Sequence, residues 1–308
     1  MNSRTISFGI GLPQTFDDFS SAASCLARFV PRAEELGFEG LWVQEQIVGD
    51  APVLEPVTLI TYAAALSSRI RLGTSVLITV IRNPVQLAKS LASLDQLSNG
   101  RITVGVGVGG PQIPEAVFGV ASEHRGQRFV EGLQVMKALW IEPRASMSGK
   151  FWRLTDVAME PKPAQKPHPP LWFGAREPVA LRRAARLGDG WMGAGSSSSA
   201  DFVKQIELLR RFLDEERRDP DNFAISKRVY LAVDNDRQRA ECRLREWFGV
   251  RYRFADMAPR VSIWGSREEC VDKLGDLIRA GSRHLLLNPV FDEPEQMEIL
   301  ASDVIPKL

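Results

Sequence analysis

Residues 70–108 read IRLGTSVLITVIRNPVQLAKSLASLDQLSNGRITVGVGV. Ile70 to Thr79 is an apolar, β-branched run of strand length. Pro84 to Leu97 carries helical spacing, Ser98-Asn99-Gly100 is a turn, and Ile102 to Val108 is again apolar throughout. Two strands that are apolar on both faces and joined by a helix imply a parallel sheet covered on both sides.

The same alternation extends outward in both directions. Before it come strand Ile6 to Leu12, helix Ser20 to Leu36, strand Gly40 to Val43 and helix Pro56 to Leu66. After it come helix Phe129 to Trp140, strand Leu171 to Phe173, helix Pro178 to Leu187, strand Trp191-Met192 and helix Ala200 to Arg218. Strand Ile225 to Val233, helix Ser266 to Ala280, strand His284 to Leu287 and helix Pro294 to Leu300 complete the series. Eight such units close more economically as a barrel than as an open sheet. The expected fold class is therefore α/β, a (β/α)8 TIM barrel with insertions. Residues 1–308 read as a single domain, with insertions at about 142–169 and 234–264. The first insertion holds several prolines and a β-like piece around Phe151 to Leu154; the second reads as irregular with helical parts.

Composition narrows the function. Hydrophobic residues are 44% of the chain and charged residues 25%, enough for a large core. A formal net charge of +1 leaves no basic field for a phosphate backbone, so no nucleic-acid partner is expected. No apolar run approaches the ~18 residues of a membrane span. The three cysteines, Cys25, Cys242 and Cys270, are far apart and odd in number, which points to a reducing, cytoplasmic location. Met1 to Ile6 leads into a strand instead of a signal-peptide core.

In a barrel of this kind the chemistry sits on the loops after the strands. None of the three histidines pairs with a nucleophile, no GxSxG elbow is present, and no metal-ligand spacing appears, so no metal site is expected. Val104 to Gly110 is glycine-rich, but Pro111 and Pro114 stop the helix a dinucleotide fingerprint needs. It reads better as a barrel strand whose glycines let a flat ring approach the backbone. Gly174-Ala175-Arg176 ends a strand and opens a helix. That is either an anion site at a helix N-terminus or an ordinary turn with a solvated arginine.

Several segments, in order, resemble the luciferase-like monooxygenase family, and most of all its flavin- and F420-dependent oxidoreductase branch. They are Ala33 to Val43, Ser68 to Thr74, Asn83-Pro84 with Leu87-Ala88-Lys89, Leu94 to Arg101, Gly105 to Gly109, Pro161-Lys162-Pro163 and Arg183 to Trp191. The resemblance implies a homodimeric barrel acting on a small-molecule substrate, with FMN or the deazaflavin F420 in its C-terminal mouth. It implies a bulge after the third strand with a non-proline cis peptide behind the ring, by position Ser75–Val76. It places the ring against Ser75, Val76, Gly107, Val108 and Gly109, and a phosphate tail near Gly174, Ala175 and Arg176.

Two departures bear on the chemistry. Where the family often has an acid followed by histidine, this chain has Glu45-Gln46, and glutamine cannot shuttle a proton. Glu45 and Gln46 are the catalytic candidates; Glu45 serves as acid or base if burial raises its pKa, and is otherwise a salt-bridged barrel carboxylate. Where the family often has Gly-Trp after the fourth strand, Gly109-Gly110-Pro111 stands. The expected function is hydride transfer, or oxygen activation, through F420 or FMN. A non-catalytic flavin-binding relative is the alternative, and a cofactor-independent barrel lyase or hydrolase a third reading. Asp95 and Arg101 are expected to pair at the barrel bottom, Arg125 and Glu131 to fix loop and helix, and Trp42 to be core.

Overall fold

The computed structural model describes residues 6–16, 18–110, 113–121 and 123–308. The expectation on Met1 to Thr5 and the segment Pro111-Gln112 lie outside the described residues. The chain begins β1 (Ser7–Gly11), α1 (Ala22–Glu35), β2 (Gly40–Val43), α2 (Pro56–Ala65), β3 (Arg71–Thr74), β4 (Leu77–Ile78), α3 (Pro84–Leu97) and β5 (Ile102–Gly107). It continues α4 (Arg125–Ile141), β6 (Ala145–Ser148), β7 (Arg153–Val157), β8 (Leu171–Gly174), α5 (Pro178–Leu187), β9 (Gly190–Gly193) and α6 (Ser199–Glu215). It ends β10 (Ala224–Val233), α7 (Arg237–Tyr252), α8 (Ala258–Val261), β11 (Ser262–Gly265), α9 (Arg267–Ala280), β12 (His284–Pro289) and α10 (Glu293–Ile299).

Eight parallel strands close the barrel in the order β1, β2, β3, β5, β8, β9, β10, β12. The ring shuts where β12 pairs β1, Ser7 opposite His284, and where β9 pairs β10, Gly190 opposite Ala224. The helices around it start on local signals. Asn83 accepts from the Val85 and Gln86 amides ahead of Pro84, and Ser198–Asp201 and Ser266–Glu269 form reciprocal capping boxes.

The lower barrel is filled by Trp42, which stacks on Trp172 at 5.3 Å between ring centroids and lies 5.1 Å from His284. A Cβ on Gly9 or Gly73 would run into the Trp42 indole, so those strands leave room for it. Trp42 is core, as the sequence suggests. His284 sits beside it at the N-terminal end, sharing a 2.7 Å hydrogen bond with Ser226.

Four expectations change. The third strand is not continuous from Ile70 to Thr79; it breaks between β3 and β4, and β4 pairs β5 through Leu77–Val106. The first irregular stretch contains an antiparallel hairpin, β6–β7, wider than the piece around Phe151. Its turn is held by Glu131, which accepts from the Lys150, Phe151 and Trp152 amides. The second has the helical parts expected, among them α7, 16 residues long, but is not irregular throughout: it also contains β11, which pairs in parallel alongside β10. Only Ala240, Leu244 and Phe248 of α7 are buried, a stripe of one residue per turn that its many charges obscure. Finally, Asp95 and Arg101 do not pair. Asp95 accepts from Gln165, while Arg101 donates to Ser98, Ser67, Ile70 and Ala64. Carbonyls close to the turn satisfy the guanidinium without a carboxylate.

Candidate active site

The bulge between β3 and β4 crosses the barrel at its C-terminal end, and the Ser75–Val76 peptide bond within it is cis. Ser75 N donates to Val43 O at 2.7 Å and Thr74 Oγ1 to Gly105 O at 2.8 Å, fixing the bulge to β2 and β5. The Val76 side chain occupies the space above the glycines of two neighbouring strands. A Cβ on Gly107 would lie 2.7 Å from Val76 Cγ2, one on Gly174 3.1 Å from both Val76 methyls, and one on Gly105 would collide with the Thr74 carbonyl. Gly105 and Gly107 thus make room for the bulge. Beyond β5, Arg125 donates to the Val108 and Gly110 carbonyls and pairs with Glu115 at 2.5 Å, so the Val108-Gly109 backbone is held in place.

Glu45 follows β2 with its side chain wholly buried. One oxygen accepts from Arg82 Nε at 2.6 Å, the other from the Ile78 amide, and Arg82 reaches on to Glu55 at 2.7 Å. Burial pushes the Glu45 pKa up, against the opposing charge of Arg82 and the Ile78 hydrogen bond. Both oxygens are thus committed to holding β4 and the turn after it. Gln46 is half-buried, lies over Gly49 and makes no hydrogen bond among the described residues. A groove of about 860 Å³ is lined by α2, α3 and the turn before α3, with no barrel-strand residue.

The richest polar cluster escaped the sequence reading. Arg228, on β10, donates from Nη1 to Ser75 O at 2.6 Å and from Nη2 to Tyr230 at 2.5 Å and Tyr252 at 3.3 Å. The two tyrosine hydroxyls share a short hydrogen bond, and Tyr230 reaches Gln44 Oε1 at 3.4 Å. Gln44 donates from its side chain to Asn288 Oδ1 at 2.6 Å and from its backbone amide to Gln14 Oε1 at 2.5 Å. Burial raises the Tyr230 pKa well above its ordinary value, Arg228 notwithstanding. A cavity of about 30 Å³ opens beside the cluster, lined by Gln14, Gln44, Trp247, Arg251, Asn288 and Glu293 among others. The available signal was spacing: Ser226, Arg228 and Tyr230 alternate along one strand and so share the inward face.

Gly174, Ala175 and Arg176 lead from β8 into α5 as expected. Ala175 O accepts from Trp191 Nε1 at 2.9 Å, and exposed Arg176 reaches Ser196 Oγ at 3.3 Å. No side chain caps the start of α5. Arg176 and Ser196 bring the loops after β8 and β9 together, and Lys227 braces the second loop from behind through the Ala194 and Ser197 carbonyls. Among the described residues, no three His, Cys, Asp or Glu side chains gather to hold a metal, and no helix is long and apolar enough to cross a membrane.

A closed eight-stranded barrel with a bulge over its C-terminal mouth and polar groups converging there defines the class: a (β/α)8-barrel enzyme with its site on the strand-end loops. The profile of the luciferase-like monooxygenase family matches residues 7–284, and the chain belongs to that family, as an oxidoreductase. It is 27% identical to the F420-dependent glucose-6-phosphate dehydrogenase of Kineococcus radiotolerans, over 92% of each chain. It is 26% identical to the enzyme of that name from Amycolatopsis mediterranei, over 92% of this chain and 94% of the other. Among solved structures, an F420-dependent secondary alcohol dehydrogenase in complex with an F420–acetone adduct superposes with a TM-score of 0.86 at 21% identity, over 98% of this chain and 99% of that one. The monooxygenase RslO1 from Streptomyces bottropensis gives 0.80 at 26%, with the same coverage.

Proposed function

We propose that this chain is an F420-dependent oxidoreductase that moves a hydride to or from a small organic substrate in the barrel mouth. The observation that carries the reading is the bulge: Val76 lies across Gly107 and Gly174, with Ser75 O clamped by Arg228. The cofactor is F420 or FMN; F420 is preferred because both dehydrogenases compared above over nine-tenths of the chain carry it in their names. Bound, a deazaflavin supplies hydride transfer alone, whereas a flavin also activates oxygen.

The residues present fit such a group. Val76 would back the ring, the held backbone of Gly107, Val108 and Gly109 would flank it, and Gly174, Ala175 and Arg176, at an uncapped helix start, would take its phosphate. The 30 Å³ cavity is far too small for a tricycle; on this reading it belongs to the substrate and not to the cofactor. Gln46 binds and orients without carrying a proton. Glu45 acts through what it holds, Arg82 and the β4 amide. The same reading takes residues 1–308 as one barrel domain, works as a cytoplasmic homodimer on family resemblance, and involves no nucleic acid.

Purified protein mixed with reduced FMN or with F420 and candidate alcohols tests it. Bleaching of F420 absorbance without oxygen uptake supports the reading. Oxygen consumption with reduced FMN alone would move the assignment to a monooxygenase.

A further inference from the structure

Taking a hydride from an alcohol carbon leaves a hydroxyl proton to be removed, and the reverse reaction needs one supplied. The groups after β2 do neither. Gln46 has no proton to exchange near neutral pH, and both Glu45 oxygens are engaged by Arg82 and the Ile78 amide. Tyr230 is tied to Arg228 and Tyr252 and keeps its proton.

The cavity of about 30 Å³ holds another group. It lies at the strand ends, between Gln14 after β1, Gln44 after β2, Asn288 of β12 and the last turn of α7. Of its lining residues only Arg251 and Glu293 ionise, and a guanidinium does not give up its proton. Glu293 opens α10, and its carboxylate is paired with no other residue among those described. Arg243, which acts on it from α7, is held by Asp292 at 2.9 Å. Burial pushes the Glu293 pKa up, with Asp292 and Glu295 on its own element adding to the rise and Arg243 opposing it. The Cys25 thiol of α1 feels the same carboxylate, and Arg251 stands on the α7 wall. The cavity is also wired to the bulge. Asn288 bonds Gln44, Gln44 meets Tyr230, and Tyr230 meets Arg228, which holds Ser75 O. About 10–15 Å³ of such space holds one water, so this cavity takes about two heavy atoms, a hydroxyl and its carbon.

We propose that Glu293 is the catalytic acid–base of this chain, its carboxylate taking the proton of a substrate hydroxyl seated in the cavity. As the O–H bond breaks, its electron pair closes the C=O bond. The hydrogen on carbon leaves with its own pair, as hydride, for the oxidised deazaflavin or flavin. The alcohol is oxidised, the cofactor is reduced and the proton rests on Glu293; in reverse, Glu293 returns it to the carbonyl oxygen. The inference rests on the oxidoreductase reading above and makes the substrate an alcohol or its carbonyl counterpart.

Carbon NMR of the full chain labelled at the glutamate Cδ, titrated from about pH 4 to 8 without cofactor, follows Glu293 directly, with Glu293→Gln assigning its signal. In parallel, wild type, Glu293→Gln and Glu293→Asp are titrated with F420 and assayed with ethanol, isopropanol and cyclohexanol. The expected Glu293 signal titrates above the exposed glutamates, and isopropanol moves its midpoint. Glu293→Gln binds F420 as the wild type does and keeps KM within about 3-fold. It loses at least ~100-fold in kcat, together with the acid limb of the pH profile, and Glu293→Asp recovers part of the rate. A Glu293 midpoint equal to that of exposed glutamates and unmoved by isopropanol overturns the proposal. So does wild-type kcat, or a retained acid limb, in Glu293→Gln. A wild type that binds F420 but oxidises none of the three alcohols overturns it too. A wild type that does not bind F420 refutes the cofactor reading instead, and the carboxyl titration with isopropanol still decides whether Glu293 meets the alcohol.

Discussion

Arg228 Nη1 donates a 2.6 Å hydrogen bond to Ser75 O, tying β10 to the bulge after β3 across 153 positions of sequence. The same guanidinium holds Tyr230 and Tyr252, so the bulge, a barrel strand and the helix of the second insertion form one mechanical unit. The shape of the bulge and the placement of Tyr230 and Tyr252 are therefore set together. A bidentate, planar cation suits that task better than a lysine would.

The bulge depends on the absence of side chains on β5. In Gly105→Ala the new methyl meets the Thr74 carbonyl, which is backbone and cannot step aside. The expected loss is about 3 kcal/mol, at the upper end of overpacking costs, read as a lower urea midpoint. Gly107→Ala crowds only the Val76 Cγ2 methyl and costs less, about 1 kcal/mol. Equal, negligible losses in both would mean the bulge is not packed as described.

Glu34 gives an acid-side prediction. Burial works to raise its pKa, but amide hydrogen bonds from Ile70, Arg69 and Ser68 outweigh it and bring it down to about 2 from 4.5. Below pH 4.5 the unfolded chain binds a proton here that the folded chain refuses until about pH 2, so stability falls as the pH drops through that window. Glu34→Gln should be less stable at pH 7 by about 1–3 kcal/mol. It should also lack this part of the acid slope in urea melts from pH 5 to 2.

Lys227 gives the opposite slope. Burial, then the charge of Arg228, push its ammonium down to about 7 from 10.5. Between those values the unfolded chain holds a proton that the folded chain has lost, so this residue makes stability rise with pH from about 7 to 10.5. Lys227→Met should abolish that rise in denaturant melts. A variant with the wild-type slope would place the amine in a wetter setting.

The barrel was legible because eight apolar runs alternate with helices, and periodicity reports burial directly. The position of the bulge was legible only through family resemblance, since Ser75 and Val76 sit inside a run that reads as unbroken strand. The glycines of β5 were seen, but what fills their space comes from β3, and single-strand patterning is blind to a neighbour. The pairing of Asp95 with Arg101 failed because both find closer partners in turns. Arg228, Tyr230 and Tyr252 were missed for a related reason. A barrel strand with polar inward residues looks like a broken apolar run until its alternation is read as two faces, and Tyr252 comes from a helix whose apolar stripe is thin.

The central claim is that a planar redox cofactor rests on the Val76 side of the mouth, and fluorescence titration of F420 and FMN into wild type and Val76→Ala tests it most directly. The expected result is saturable binding of F420 by the wild type, tighter than FMN, and weakened about 10-fold in the variant, whose stability in urea falls by no more than a buried-methyl loss of about 1–2 kcal/mol. No binding of either cofactor by the wild type, or an affinity untouched by the loss of Val76, would contradict it.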